Sequence, residues 1–234
     1  MKKLFPVFCL ALLFLAGSLA FGQLTYTSLD TASGWQTCSR CAGAGGTGPS
    51  TPHSMYSVGS PSLDGSSLQF NVGGSTSYAN ALWWKNLGSH DSASHFVYET
   101  YFYLKNPSAS QALEFDVNQK RSGKWYVFGT ECVLAGSPHW NVYDAYDHRW
   151  VSTGISCAKP RAYTWNHLIL ELQRTSGGMH YVAVTLNGAK HYFNRTYRPK
   201  GASASSVDLA FQMDENRYAT DYSTWLDKLK LTMW

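Results

Sequence analysis

Three polar side chains at alternate positions of one short run, Glu114, Asp116 and Asn118, are the residues of this chain best placed to do chemistry. They lie in Gln111–Gln119 (QALEFDVNQ), where Leu113, Phe115 and Val117 take the intervening places. That period of two predicts a half-buried strand, with the apolar trio turned inward and the acids and amide outward. Carboxylates side by side on one sheet face repel each other, so the pattern calls for something that rewards it. A carboxylate offers several acceptors and an amide offers both kinds of group, which suits sugar hydroxyls, a cation or a bond being broken.

A second run is built the same way. Val207, Leu209, Phe211 and Met213 fall on one side, leaving Asp208, Ala210, Gln212 and Asp214 on the other. Gln212 and Asp214 are therefore expected on the face that holds Glu114. Aromatic residues make up 15% of the chain, with nine tryptophans and fifteen tyrosines, more than a domain of this size can bury. Trp83, Trp84, Trp140, Trp150 and Trp225 are the candidates for stacking on the C–H faces of sugars. Adjacent Trp83 and Trp84 point to opposite sides of a strand, so only one can face a groove, and Trp84 is assigned to it. Trp140 and Trp150 occupy corresponding positions in a short polar hairpin formed by His139–Tyr146 and Arg149–Ser152. Asp214, Glu215, Asn216 and Asp221 make an acid-rich stretch that could supply oxygens to calcium, although the spacing matches no dedicated calcium loop. No other metal or cofactor is expected. Serine or cysteine nucleophiles find no support, since there is no Gly-x-Ser-x-Gly elbow.

These residues have to be positioned by a chain that begins with an export signal. Lys2 and Lys3 precede an apolar run, Leu4 to Ala20, and the small residues Ala20 and Gly22 mark a cleavage site before Gln23. Residues 1–22 are read as a signal peptide and the protein as secreted, extracellular or periplasmic. Without Lys2 and Lys3 the formal net charge falls from +4 to +2, too little for a nucleic-acid partner. No later stretch is long enough to cross a bilayer, so a membrane is not an expected partner, and the chain reads as a monomer. Cys38, Cys41, Cys132 and Cys157 remain. An even count in an exported chain points to disulfides, with three pairings open. Cys132–Cys157 and Cys38–Cys41 are preferred, the first because it would pin the base of the hairpin it brackets. A zinc knuckle at Cys38-x-x-Cys41 lacks a second ligand pair.

The remaining sequence, 23–234, reads as one domain. Gly34–Ser67 is expected to be a long Gly, Ser and Pro-rich loop. Further strands are expected at Leu24–Ser28, Leu68–Val72, Ala79–Lys85, Phe96–Leu104, Lys124–Leu134, Trp165–Gln173, Tyr181–Leu186, Lys190–Asn194 and Trp225–Trp234. Asn187-Gly188 is a two-residue hairpin signal. Within Tyr181–Leu186 the inward residues are expected to be Val182, Val184 and Leu186. No stretch reads as a helix. The fold class is all-β, an antiparallel two-sheet jelly-roll sandwich.

Trp165, His167, Asn187, Gly188 and Asp227 lie where the concanavalin A-like lectin/glucanase superfamily, and laminin-G-like modules in particular, carry short motifs. The chain resembles that superfamily from Leu68 to Trp234. The resemblance implies a curved jelly roll whose concave face binds or cuts polysaccharide. Retaining β-glucanases of the superfamily carry Glu-x-Asp-x-Glu or Glu-x-Asp-x-x-Glu. Glu114 and Asp116 match the first two positions, but the third falls on Asn118 or Gln119, and neither amide can deliver a proton. Retaining hydrolysis needs two carboxyl groups about 5–5.5 Å apart. The leading expectation is thus a lectin-like domain recognising an extracellular or cell-wall polysaccharide. The alternative is a glycoside hydrolase with Glu114 as nucleophile, helped by Asp116, and an acid from Glu131, Glu171 or Asp214. A polysaccharide lyase, with a base among His139, His148, His167, His180, Tyr143 and Tyr146, ranks below it: no basic cluster marks the face of Glu114, and an acidic groove repels a uronate. A protein-binding or structural surface module is the third class.

Overall fold

The computed structural model describes residues 22–39, 41, 49–74 and 76–234, and all but one of the residues of the expected signal peptide lie outside them. The chain opens with β1 (Leu24–Tyr26), β2 (Gln36–Cys38), β3 (His53–Val58), β4 (Ser67–Val72), β5 (Asn80–Asn86) and β6 (His95–Leu104). Then come β7 (Ser110–Arg121), β8 (Lys124–Phe128), β9 (Thr130–Val133), β10 (His139–Asp144) and β11 (Arg149–Ser152). β12 (Thr164–Thr175), β13 (Gly178–Leu186), β14 (Ala189–Tyr197), β15 (Lys200–Gly201), β16 (Ser206–Glu215) and β17 (Tyr222–Met233) complete it. No helix occurs among the described residues.

Two antiparallel sheets stack as a sandwich. One runs β14-β13-β12-β6-β17-β4-β3, with β1 added beside β17. The other runs β11-β10-β9-β7-β16-β5-β2, with β8 on the second half of β7 and β15 on β8. The period-two residues of both sheets meet between them. Leu113, Phe115 and Val117 of β7 are at most 1% exposed. Phe115 meets Tyr98 of the facing sheet edge-on at 5.9 Å, and Phe70 meets Trp83 and Phe211 at 5.1 and 4.9 Å. Each such ring contributes about 1.5–3 kcal/mol by burial, which fixes which face of β7 and β16 turns inward. A one-residue slip in either strand would put carboxylates in the core.

Three local expectations are corrected. The stretch 34–67 is not one loop: it supplies β2 and β3, edge strands whose polar sequences carry little apolar alternation because one neighbour and one face are missing. Lys124–Leu134 is broken at Gly129 into β8 and β9. In β13, a register shift between Tyr181 and Ala183 changes the phase, so Met179, Tyr181, Ala183 and Val184 are buried while Val182 and Leu186 are only half-buried.

Cys38–Cys41 and Cys132–Cys157 are both bridged. The second pair ties β9 to the segment after β11, and so holds the β10–β11 hairpin against β9.

Candidate functional site

A cleft of about 300 Å³ opens on the outer face of the β7–β16 sheet. Glu114, Asp116, Asn118 and Gln212 contribute to its floor, and Trp125, Tyr143, Trp150, Leu82, Val127 and Lys200 to its walls. Cys41 reaches it from the β2 side. A wider hollow of about 430 Å³ near His53 and Asn71 gathers no comparable set: its carboxylate, Asp221, accepts the backbone N–H of Gly74.

Strand register assembles the floor. Glu114 is the partner of Gln212 on β16 and of Glu131 on β9, and Glu131 is in turn the partner of Asn141 on β10. Partners in register point to one side of a sheet, so these four side chains form a row across four strands. One step along β7, Asp116 faces Ala210, whose other neighbour is Trp84. The break at Gly129 frees the N–H of Thr130, which donates to Asp116 Oδ1 at 3.2 Å. Gln212 donates through Nε2 to Glu114 Oε1 and, at 2.9 Å, to Asp214 Oδ1. Asn141 Nδ2 donates to Glu131 Oε1 at 2.6 Å.

Four carboxyl groups therefore gather on one sheet face, Glu114 and Asp116 in the cleft floor and Glu131 and Asp214 beside it, and none of them is in an ion pair with Lys or Arg among the described residues. Glu114, Asp116 and Glu131 are 4%, 7% and 7% exposed. Burial is the main cause of their altered acidity, since it penalises the charged form. It pushes Glu131 up to about 8, with Asn141 opposing and Asp214 and Asp116 adding to the rise. Asp116 and Asp214 are each pushed up to about 7, against the Thr130 N–H in the first case and the Gln212 amide in the second. Glu114 is raised well above its usual value, by burial and then by Asp214, Asp116 and Glu131 around it. Carboxyl oxygens of Glu114, Glu131 and Asp214 all lie within 4.8 Å of one another. That spacing suits either a hard cation or shared protons. The amide N–H groups of Gln212 and Asn141 are aimed at these oxygens, which favours the second, because a cation site would turn amide oxygens inward instead.

The structure places the sequence-derived residues unevenly. Glu114, Asp116, Asn118, Gln212 and Asp214 are on one face, and Trp150 stands beside them in the cleft wall. Trp84 lies on that face two strands from Asp116, and Trp83 is in the core at 1% exposed. Trp140 is a correction: it is 1% exposed, pointing between the sheets toward Phe193. Its register partner is Cys132, on the core side, whereas Trp150 partners Tyr143 on the cleft side. Trp225 belongs to the other sheet, where it meets Tyr103 at 5.5 Å beneath Lys105. Glu171 is on that sheet too, paired with Lys190 at 2.5 Å, and His167 is paired there with Glu99. Neither can serve the cleft.

The acid-rich stretch is dispersed as well. Asp214 lies beside the floor, Glu215 accepts from Thr51, Asn216 donates to Ser108, and Asp221 binds Gly74. They do not converge on one point. Trp125, Gly129 and Lys200 in the cleft, and Asn141 beside it, were not singled out from sequence, whereas Glu131 and Tyr143 were named there only as a candidate acid and a candidate base. Glu131 alternates with Thr130 and Cys132, whose register partners Val142, Trp140 and Leu113 are buried, and so turns to the opposite face. Gly129 is required by packing: a Cβ there would stand 2.9 Å from the Cβ of Tyr143 and 3.2 Å from the Trp150 ring.

No protein-family model and no curated protein matches the chain. Solved structures do. A cellulose-induced protein, Cip1, superposes with a TM-score of 0.53 at 11% identity, covering 89% of this chain and 96% of its own. The endo-β-1,4-glucuronan lyase of the fungus Trichoderma reesei gives 0.52 at 11% identity, covering 79% and 90%. A carbohydrate esterase of the Shiga toxin-encoding bacteriophage phi24B gives 0.51 at 14% identity, covering 90% and 97%. The likeness is one of fold. At these identities it establishes the jelly-roll sandwich and leaves the chemistry to the cleft itself.

Proposed function

We propose that this protein is a secreted lectin-like domain that binds a polysaccharide chain in the cleft of the β7–β16 sheet. The observation that carries the reading is the combination within one open cleft: carboxyl and amide groups in a row on the floor, and the rings of Trp150 and Tyr143 in the wall. Polar groups of that kind bind pairs of sugar hydroxyls, while flat rings cover the apolar faces of the same sugars. The two disulfides and the leader-like N-terminal sequence support export. Two proteins of like fold that are named for acting on carbohydrate agree with the reading.

Cleavage is the second reading, and one feature favours it. Glu131 stands across from Glu114 on the neighbouring strand, in the place of the proton-donating acid that β7 by itself lacks. Burial pushes Glu131 up to about 8, so it holds a proton at neutral pH as a glycosidase's acid must, while Glu114, itself raised by burial, would have to ionise to act as nucleophile. A panel of soluble polysaccharides separates the readings. Tryptophan quenching and gel retardation without new reducing ends or unsaturated products support binding alone. New reducing ends that vanish in Glu114→Gln support hydrolysis. A panel that neither shifts the fluorescence nor is cut overturns both.

A further inference from the structure

The cleft is acidic at one end only. Strand β7 runs to Arg121, not to Gln119 as expected from sequence, so Lys120 falls on the same face as Glu114, Asp116 and Asn118. Its register partner on β8 is Trp125, and the partner of Trp125 on β15 is Lys200. Both ammonium groups lie against the one indole, at 4.6 Å for Lys120 and 4.2 Å for Lys200. Lys200 and Trp125 line the cleft together with Asn118 and Asp116. Neither lysine forms an ion pair among the described residues. Two half-buried cations held side by side without an anion repel each other, and burial together with Lys120 pulls Lys200 below its usual value.

We propose that the Lys120–Trp125–Lys200 end of the cleft is a subsite for the anionic group of an acidic sugar, so that the polymer bound is a uronan or a sulfated glycan and not a neutral glucan. This rests on the reading of the cleft as a polysaccharide site. Along β7 the step from Asp116 to Lys120 is about 14 Å, room for more than one sugar ring between the acid floor and the lysines. An anion at the lysines would relieve their mutual repulsion, and the indole between them excludes water from that contact. The floor does not oppose it below neutral pH, because burial keeps Asp116, Asp214 and Glu131 largely uncharged there. Repulsion of a uronate by the Glu114 end sets in only as these carboxyl groups ionise above neutral pH.

The test uses the mature protein and three polymers: polygalacturonate, the same polymer after carboxyl reduction, and a sulfated galactan. Polygalacturonate or the sulfated galactan, or both, should bind about tenfold or more tightly than the reduced polymer, with the gap narrowing as salt is raised. Binding of one acidic polymer and not the other identifies carboxylate or sulfate as the anion. Lys200→Met, and the Lys120→Met/Lys200→Met pair, should lower affinity for the acidic polymer about tenfold and so abolish the preference, with little change in the melting temperature. Equal binding of acidic and reduced polymers, or a preference that survives the double variant, overturns the anion subsite and leaves the cleft reading intact. Binding that is indifferent to Trp150→Ala as well as to the lysines places the polymer elsewhere and overturns both.

Discussion

Glu114 and Glu131 are register partners on neighbouring antiparallel strands, with carboxyl oxygens within 4.8 Å and the two side chains only 4% and 7% exposed. Like charges in that position cost stability, and the protein meets the cost by holding protons. Gln212 and Asn141 direct amide hydrogens at one oxygen of each.

Stability should therefore fall as pH rises. A carboxyl group whose acidity is lowered on folding binds its proton more tightly in the native state than in the unfolded chain. Between the ordinary carboxylate range near 4 and the raised values of about 7 for Asp116 and Asp214 and about 8 for Glu131, the native state holds protons that the unfolded chain has released. Thermal melts from pH 5 to pH 8.5 should show the melting temperature dropping across that window. Glu131→Gln should raise it at pH 8 and flatten the profile. A melting temperature that climbs from pH 5 to pH 8.5 contradicts this account of the floor.

Trp150 and Trp140 should behave oppositely. Trp150→Ala removes a wall of the cleft and should weaken polysaccharide binding by about 10- to 100-fold with little loss of stability, measured by titration and denaturant unfolding. Trp140→Ala opens a cavity between the sheets and should cost about 3–5 kcal/mol.

Gly129 gives the cleft wall its closeness. In Gly129→Ala the new methyl group would meet the Cβ of Tyr143 and the ring of Trp150, so one or both must move. We expect a loss of about 1–3 kcal/mol together with weaker binding. A variant as stable and as tight as the parent would show that the wall tolerates a shift of that size.

The disulfides should differ in worth. Cys132–Cys157 closes a loop spanning 25 residues and holds the Trp150 hairpin, so replacing both cysteines by serine should cost about 3 kcal/mol and loosen binding. Cys38–Cys41 closes only a three-residue separation, and its loss should shift the melting temperature much less. Equal losses for the two would point to a role of the short bridge in shaping the cleft beside Cys41.

The amino-acid order by itself determined which side chains share a face. Alternation along Leu113–Val117 and Val207–Met213 separates core from cleft because a strand repeats every two residues and burial of Phe115 and Phe211 outweighs any other choice. It could not determine which strands are neighbours or in what register. Glu131 meets Glu114 only because β9 lies beside β7, and Lys200 meets Trp125 only because β15 lies beside β8. The same limit explains Trp140 and Trp150: their similar hairpin positions say nothing of sides, which were set when Cys132 and Tyr143 became their partners. Alternation is a property of one chain segment, whereas register is a sum of contacts between segments far apart in sequence, and only the folded sandwich makes that sum.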